Sequence, residues 1–208
     1  MRDKDYTAIL LSGGNSTRMG VDKQELNYNG IYIMDTIVNN LSIHFDEIII
    51  VSNQTDFFDN RYSDNSNIII TSDIIKGKGP MIGLYSGLLQ STKENNLLLA
   101  CDMPYFSHEY IDFLKSKPYH TALVRKKGEY FEPFFSFYKK RLTTSLENYI
   151  KSGKKSLNGF IESINPTIID EKQLMDIKDI DKIFRNMNYP RDWDEYVKEN
   201  YSGLNSEF

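Results

Sequence analysis

Four short apolar runs, each closed by polar or glycine-rich punctuation, constrain this chain more than any other feature. They lie at residues 8–11 (AILL), 48–51 (IIIV), 68–71 (IIIT) and 97–100 (LLLA). A run without polar alternation predicts a strand buried on both faces, as in a parallel sheet. Between the runs, apolar residues recur at helical spacing. Ile33, Ile37, Leu41 and His44 form one stripe, and Met81, Leu84, Tyr85, Leu88 and Leu89 another. Strand and helix therefore alternate, which predicts an α/β fold with a mostly parallel central sheet and crossover helices on both faces.

The alternation weakens after residue 119. TALVRK and YFEPFFSFY flank the Lys127-Gly128 turn and predict an antiparallel hairpin. Helices are expected around 140–151 and 156–163, a short strand at 167–169, and a last helix from Asp192 to Asn200, opened by Asp192. A length of 208 residues suits one domain with a sizeable core, over residues 1–200. The tail at 201–208 is polar and is expected to fray. Cys101 is the sole cysteine, so no intrachain disulfide can form and a reducing compartment is the simplest reading. A net charge of −4 argues against a nucleic-acid-coating protein. The opening residues lack the pattern of a signal peptide, and no apolar run nears the roughly 20 residues that span a bilayer. A cytoplasmic protein without nucleic-acid or membrane partners is expected. His44, His108 and His120 are scattered along the chain and predict no metal cluster.

In open parallel sheets, ligands sit beyond the carboxyl ends of the strands. Here Leu11 is followed by SGG, Val51 by SNQ, Thr71 by SD and Ala100 by CDMP. Each tail alone is ordinary turn chemistry; four at one sheet edge mark a site. The stretch LLSGGNSTRMGVDK, residues 10–23, is the densest. Gly13 and Gly14 let backbone N–H groups approach an anion, Ser12, Ser16 and Thr17 add donors, and Arg18 and Lys23 add charge, which together describe a phosphate cradle. Val21 and Asp22 separate Lys23 from the last glycine, so this is not a Walker A loop. Adjacent glycines exclude GxGxxG.

LSGGNSTRMGVDK resembles the N-terminal signature L-[AS]-G-G-x-S-x-R-M-G-x-D-K of a nucleotidyltransferase superfamily, and is most similar to the molybdenum cofactor guanylyltransferase (MobA) family, where alanine is usual at the position of Ser12. The resemblance continues through ELNYNG, IIIVSNQ with Asn53, TSD with Asp73, KGKGPMIGL with its GP-x-x-G element from Gly79 to Gly83, and LLLACDMPY with Asp102. It ends at FRNMNYPRDW, where Asn186, Asn188 and Pro190 match an N-x-N-T-P element and Tyr189 replaces the usual threonine.

The resemblance implies a Rossmann-like nucleotidyltransferase fold. It implies transfer of GMP from GTP to the terminal phosphate of molybdenum-molybdopterin, with Mg²⁺ and with release of pyrophosphate. It further implies catalytic roles for Arg18, Lys23 and Asp102, with Asp102 the metal ligand. Nucleotide contacts fall to Leu11, Ser12, Gly13, Gly14, Lys23, Asn53, Asp73 and Asp102. Substrate contacts fall to Asn186, Asn188, Lys78, Gly79 and Pro80, with Lys76 beside them. The aromatic run from Tyr130 to Tyr138 serves as core or as cover for a pterin ring. Molybdoenzyme apoproteins and cofactor-synthesis proteins are the implied partners. Two other readings stay open: a related transferase using CTP or a sugar phosphate, and a non-catalytic nucleotide-binding carrier of the cofactor. Arg18, Lys23 and Asp102 occurring together favour an enzyme, because a pure binder would not need all three.

Overall fold

The structure, a computed structural model, describes residues 3–13, 22–75 and 79–201. The first apolar run ends β1 (Asp3–Leu11). After a 3-10 turn at Lys23–Glu25, β2 (Asn27–Tyr28) and β3 (Ile31–Tyr32) form a small hairpin leading into α1 (Ile33–His44). Then come β4 (Phe45–Val51), α2 (Thr55–Tyr62), β5 (Ile68–Thr71), α3 (Pro80–Gln90), β6 (Asn95–Ala100) and α4 (His108–Lys115). The remaining strands and α-helices are β7 (Ala122–Lys127), β8 (Tyr130–Lys139), α5 (Thr143–Lys151), α6 (Leu157–Ser163), β9 (Thr167–Ile169), α7 (Ile180–Ile183) and α8 (Pro190–Tyr201), with 3-10 turns at Lys140–Leu142 and Glu171–Leu174.

Seven strands make one sheet in the order β5-β4-β1-β6-β8-β7-β9, and β2 and β3 make a separate two-stranded sheet. β5, β4, β1 and β6 pair in parallel, as do β7 and β9; β8 alone runs the other way, antiparallel to both β6 and β7. This is the α/β architecture expected from the apolar runs.

Within each run the side chains alternate between two cores. Ala8, Leu10, Ile48, Ile50, Leu97 and Leu99 face one layer, with α1 and α4 above them; Ile9, Leu11, Ile49, Val51 and Leu98 face the other, with α3, α5 and α6. Both faces are covered, so the period of two is hidden behind a uniformly apolar sequence. IIIT departs from that reading. β5 is an edge strand and all four of its residues are only half-buried. Leu89 departs too: it is 41 % exposed, on the outer side of α3.

The approach of α3 to β1 rests on two glycines one turn apart. A Cβ on Gly83 would stand 2.8 Å from the Leu11 side chain, and one on Gly87 would stand 2.4 Å from Ile9 Cγ2. Gly87→Ala should gain roughly 1 kcal/mol in helix propensity. It should nevertheless lose stability, by up to about 2 kcal/mol net, because Ile9 is fully buried and overpacking costs about 1–3 kcal/mol. A lower urea midpoint at unchanged slope would register this. A rise in the midpoint would mean that the layer relaxes freely.

Three further expectations are corrected. α8 begins at Pro190, not Asp192; the Asp192 carboxylate instead reaches back and accepts the N–H groups of Asn188 and Tyr189, each at 2.8 Å. This is the reciprocal half of a capping box. Tyr201 belongs to α8 and not to the tail. It is the last helical residue, is buried, stacks on Tyr28 and bonds Thr36 at 2.9 Å; residues 202–208 lie outside the described residues. The histidines are not all scattered. Helix packing places His44 Nε2 2.8 Å from His108 Nδ1. Among the described residues no group of three or more His, Cys, Asp or Glu is placed to hold a metal.

Candidate active site

The chain leaves β1 towards β4 and β5 on one side, then crosses back to lay β6 on the other. The carboxyl ends of β1 and β6 therefore border the topological switch point, where an open α/β sheet forms a crevice. Ladder hydrogen bonds continue one residue past each strand. Ser12 N donates to Val51 O at 2.8 Å, Ser52 N to Thr71 O at 2.8 Å, and Cys101 N to Leu11 O at 2.9 Å. The four loops thus leave the sheet side by side, and a cavity of about 670 Å³ opens among them.

Leu11, Ser12, Gly13, Lys23, Asn53 and Asp73 line this cavity, and so do Gly79, Pro80, Asp102 and Asn186. Gly79 caps α3 at φ 72°, in the left-handed region that favours glycine, and Pro80 is the first helical residue. The helix therefore points its positive dipole end at the cavity. Gly14, Arg18 and Lys78 lie outside the described residues, as do Ser16, Thr17 and Lys76.

Lys23 is the centre of the polar arrangement. Its ammonium donates to Asp102 Oδ2 at 2.9 Å and to Asn188 Oδ1 at 3.1 Å, groups 79 and 165 residues further along the chain. Lys23 and Asp102 are 16 % and 26 % exposed. The main chain holds this junction: Met187 N donates to Asp102 O at 2.7 Å, so the C-terminal segment is stitched to the loop after β6. Asn186 and Asn188 flank buried Met187. One lines the cavity and the other meets Lys23. Across the cavity, Asn53 Nδ2 donates to Asp73 Oδ2 at 3.1 Å. Burial raises the Asp73 pKa above the ordinary carboxylate value, against the opposing pull of that hydrogen bond.

Cys101 is a buried free thiol. Burial pushes its thiol up to about 11, reinforced by the neighbouring Asp102 charge.

Sequence reasoning missed a line of amides along the cavity. Ser12 Oγ donates to Gln24 Oε1 at 3.1 Å, so this hydroxyl is already engaged. Gln24 Nε2 donates to Gln54 Oε1, and Gln54 Nε2 to Asp22 Oδ2 at 2.9 Å. Gln54 N also donates to Ser52 Oγ at 3.1 Å. The line ties the 3-10 turn carrying Lys23 to the loops after β1 and β4. Gln24 follows Lys23 directly, but nothing in the sequence says that it is 95 % buried (5 % exposed).

In the sequence Phe134 is only one member of an aromatic run. Opposite the single residue Val124 of β7, β8 carries the four residues 133–136, because the pairing jumps from Leu123↔Phe137 to Arg125↔Glu132. Phe135 sits at φ 50°, in the left-handed region, and is buried. Ser136 Oγ and Tyr138 Oη stitch the bulge by donating to Glu132 O at 2.7 Å and Pro133 O at 2.8 Å. The bulge delivers Phe134 to the cavity wall while Phe135, Phe137 and Tyr138 stay in the core.

An open, mostly parallel sheet with a phosphate-type loop after its first central strand and an aspartate after the next defines a nucleotidyltransferase-like protein. The chain belongs to the family described as the MobA-like NTP transferase domain, whose model matches residues 8–167. It is 36 % identical over 91 % of its length to a probable molybdenum cofactor guanylyltransferase of Peptoclostridium acidaminophilum, covering 87 % of that protein. It is 32 % identical over 93 % of its length to the molybdenum cofactor guanylyltransferase of Syntrophotalea carbinolica, covering 91 % of it. Among solved structures, the molybdopterin-guanine dinucleotide biosynthesis protein A of Archaeoglobus fulgidus has the same fold. The TM-score is 0.74 at 22 % identity, over 91 % of this chain and 95 % of that one. No helix among the described residues is long and apolar enough to cross a membrane.

Proposed function

We propose that this chain is a GTP:molybdopterin guanylyltransferase. The observation that carries the reading is the meeting of Asn188 with Lys23 and Asp102, two residues that line one cavity with the Asn53–Asp73 pair. The names of the relatives supply the substrates. A terminal phosphate oxygen of the pterin attacks the α-phosphorus of GTP. One P–O bond forms, the α–β bridging P–O bond breaks, and pyrophosphate leaves with the electron pair.

The nucleophile belongs to the substrate, so the protein's task is to bring two anions together and to balance the charge on the leaving group. Gly13 and the N-terminus of α3 offer N–H donors to the phosphates, and Lys23 and Arg18 offer charge. The Asp73 carboxylate can accept from both N1–H and the exocyclic amino group of guanine, a donor pair that adenine lacks. Phe134 covers one side of the cavity against water.

Asp102, with the Asn188 amide oxygen beside it, is a set of hard oxygen donors. It fits Mg²⁺, which takes one or two carboxylates and fills its shell with waters and substrate phosphates. Bound there, the ion would supply Lewis-acid neutralisation of the phosphoryl charge. The protein would act in the cytoplasm, handing its product to cofactor-synthesis partners or molybdoenzyme apoproteins.

The test is a nucleotide panel. GTP with Mg²⁺ is expected to raise the thermal midpoint more than ATP, CTP or UTP at equal concentration. A ligand at 100 times its dissociation constant adds about 2.7 kcal/mol. A larger shift with CTP would move the chain to the cytidylyl branch. Failure to release pyrophosphate in the presence of molybdenum-molybdopterin would leave a nucleotide-binding carrier.

A further inference from the structure

The two oxygens that suit a hard cation converge on a cation that the chain itself provides. The Lys23 ammonium stands 2.9 Å from Asp102 Oδ2 and 3.1 Å from Asn188 Oδ1, with both charged side chains largely shielded from water. A buried carboxylate needs a counter-charge, and stripping one away is costly unless another takes its place. Mg²⁺ sits at roughly 2.0–2.1 Å from its oxygen ligands. On Oδ2 it would compete directly with the ammonium, and on Oδ1 it would repel the ammonium across the same carboxylate.

Resting on the transferase reading above, we propose that Lys23 is a displaceable counter-ion. Its ammonium neutralises Asp102 in the arrangement seen here, and moves to the nucleotide's phosphates when a divalent cation is taken up at that carboxylate. Lys23 then has two roles at two stages of one binding sequence. It opposes uptake of the divalent cation by itself, since it would be left without a partner. It favours uptake alongside a triphosphate, which offers the ammonium a new anion. By linkage, cation and triphosphate raise each other's affinity. The geometry allows the transfer: Lys23 lies on the 3-10 turn that ends the phosphate-type loop, and Lys23, Asp102 and Gly13 line the same cavity.

The experiment is a Mn²⁺ titration without nucleotide, with free Mn²⁺ read by electron paramagnetic resonance. It compares the wild type, Lys23→Met, Lys23→Ala and Asp102→Asn, each first shown to melt as a folded protein. Methionine keeps most of the apolar stem and removes the charge; alanine repeats the test without the stem. Both Lys23 variants are expected to bind Mn²⁺ on the order of tenfold tighter than the wild type, within the range usual for coupled ligands. Equal or weaker binding overturns the exchange.

A second readout separates exchange from simple deletion of a nearby charge. Saturating Mg²⁺ alone should increase acetylation of Lys23 in the wild type, measured by mass spectrometry. Unchanged labelling overturns the proposal even if the variants bind Mn²⁺ more tightly. Repeating the Mn²⁺ titration with GTP, after subtracting the Mn²⁺ that the same GTP binds without protein, tests the underlying reading. If Asp102→Asn takes up Mn²⁺ as the wild type does, Asp102 is not the cation ligand, and both the metal assignment and the exchange fall. If Asp102→Asn loses uptake while Lys23→Met stays at the wild-type level without GTP, the metal assignment stands and only the exchange is overturned.

Discussion

Asp102→Asn is expected to stay folded and to turn over GTP about 10³-fold more slowly, a loss at the upper end of those seen when one preorganised electrostatic contact is removed. The fold should survive for a specific reason. Asp102 is tied into the structure through its main chain, whose carbonyl accepts Met187 N at 2.7 Å. The asparagine amide oxygen can still accept the hydrogen bond from Lys23. What disappears is the negative charge, the only feature of the side chain that a divalent cation strictly requires. Steady-state kinetics across a Mg²⁺ series would measure the effect. Normal turnover at limiting Mg²⁺ would reduce Asp102 to a counter-ion that keeps Lys23 in place, and the proposed metal site would have to move elsewhere.

Lys23→Ala should lower kcat by on the order of 10²–10³. GTP binding should weaken less, because charge on the leaving pyrophosphate grows from ground state to transition state and the ammonium answers that growth. The loss of two hydrogen bonds and of the counter-charge on a carboxylate that is 26 % exposed should cost about 1–3 kcal/mol of stability, and Lys23 is no part of either apolar core. The same charge deletion is expected to help the divalent cation bind by itself and to slow the reaction, two effects of opposite sign from one residue. A kcat close to wild type would mean that the phosphates are held by backbone N–H groups and Arg18, with Lys23 serving only Asp102. Measuring kcat and KM separately on the folded variant distinguishes these outcomes.

The parts of the fold legible in the sequence are those set by local pattern. A parallel strand buried on both faces must be apolar throughout, and AILL, IIIV and LLLA are; a helix packed on it shows the spacing of Ile33, Ile37 and Leu41. Turn residues after each run foretold one edge lined with polar loops. IIIT shows where that logic stops. Its composition matches its neighbours, yet it lies at the sheet edge and is half-exposed, because strand order is a matter of crossover connections that no run encodes. The bulge at Phe135 was equally hidden. Left-handed φ at a phenylalanine has no local signature, and only packing on both sides holds it there.

The candidate site divides in the same way. Sequence by itself determined the chemistry available: a glycine loop with cations, an aspartate after β6, and the Asn-x-Asn segment whose alternation places Met187 inward between its two amides. It also carries, by resemblance, the family to which the chain belongs. Tertiary structure alone decided who meets whom. Lys23 faces Asp102 and Asn188 only because the sheet order sets β1 beside β6 and because one main-chain hydrogen bond docks residue 187 onto residue 102. The Gln24–Gln54 line likewise exists only because the loops after β1 and β4 leave a parallel pair together. Short-range pattern follows from backbone periodicity and is written in neighbouring residues. The pairing of charges far apart in the chain follows from closing long loops onto one surface, which is paid for by burial of the whole core.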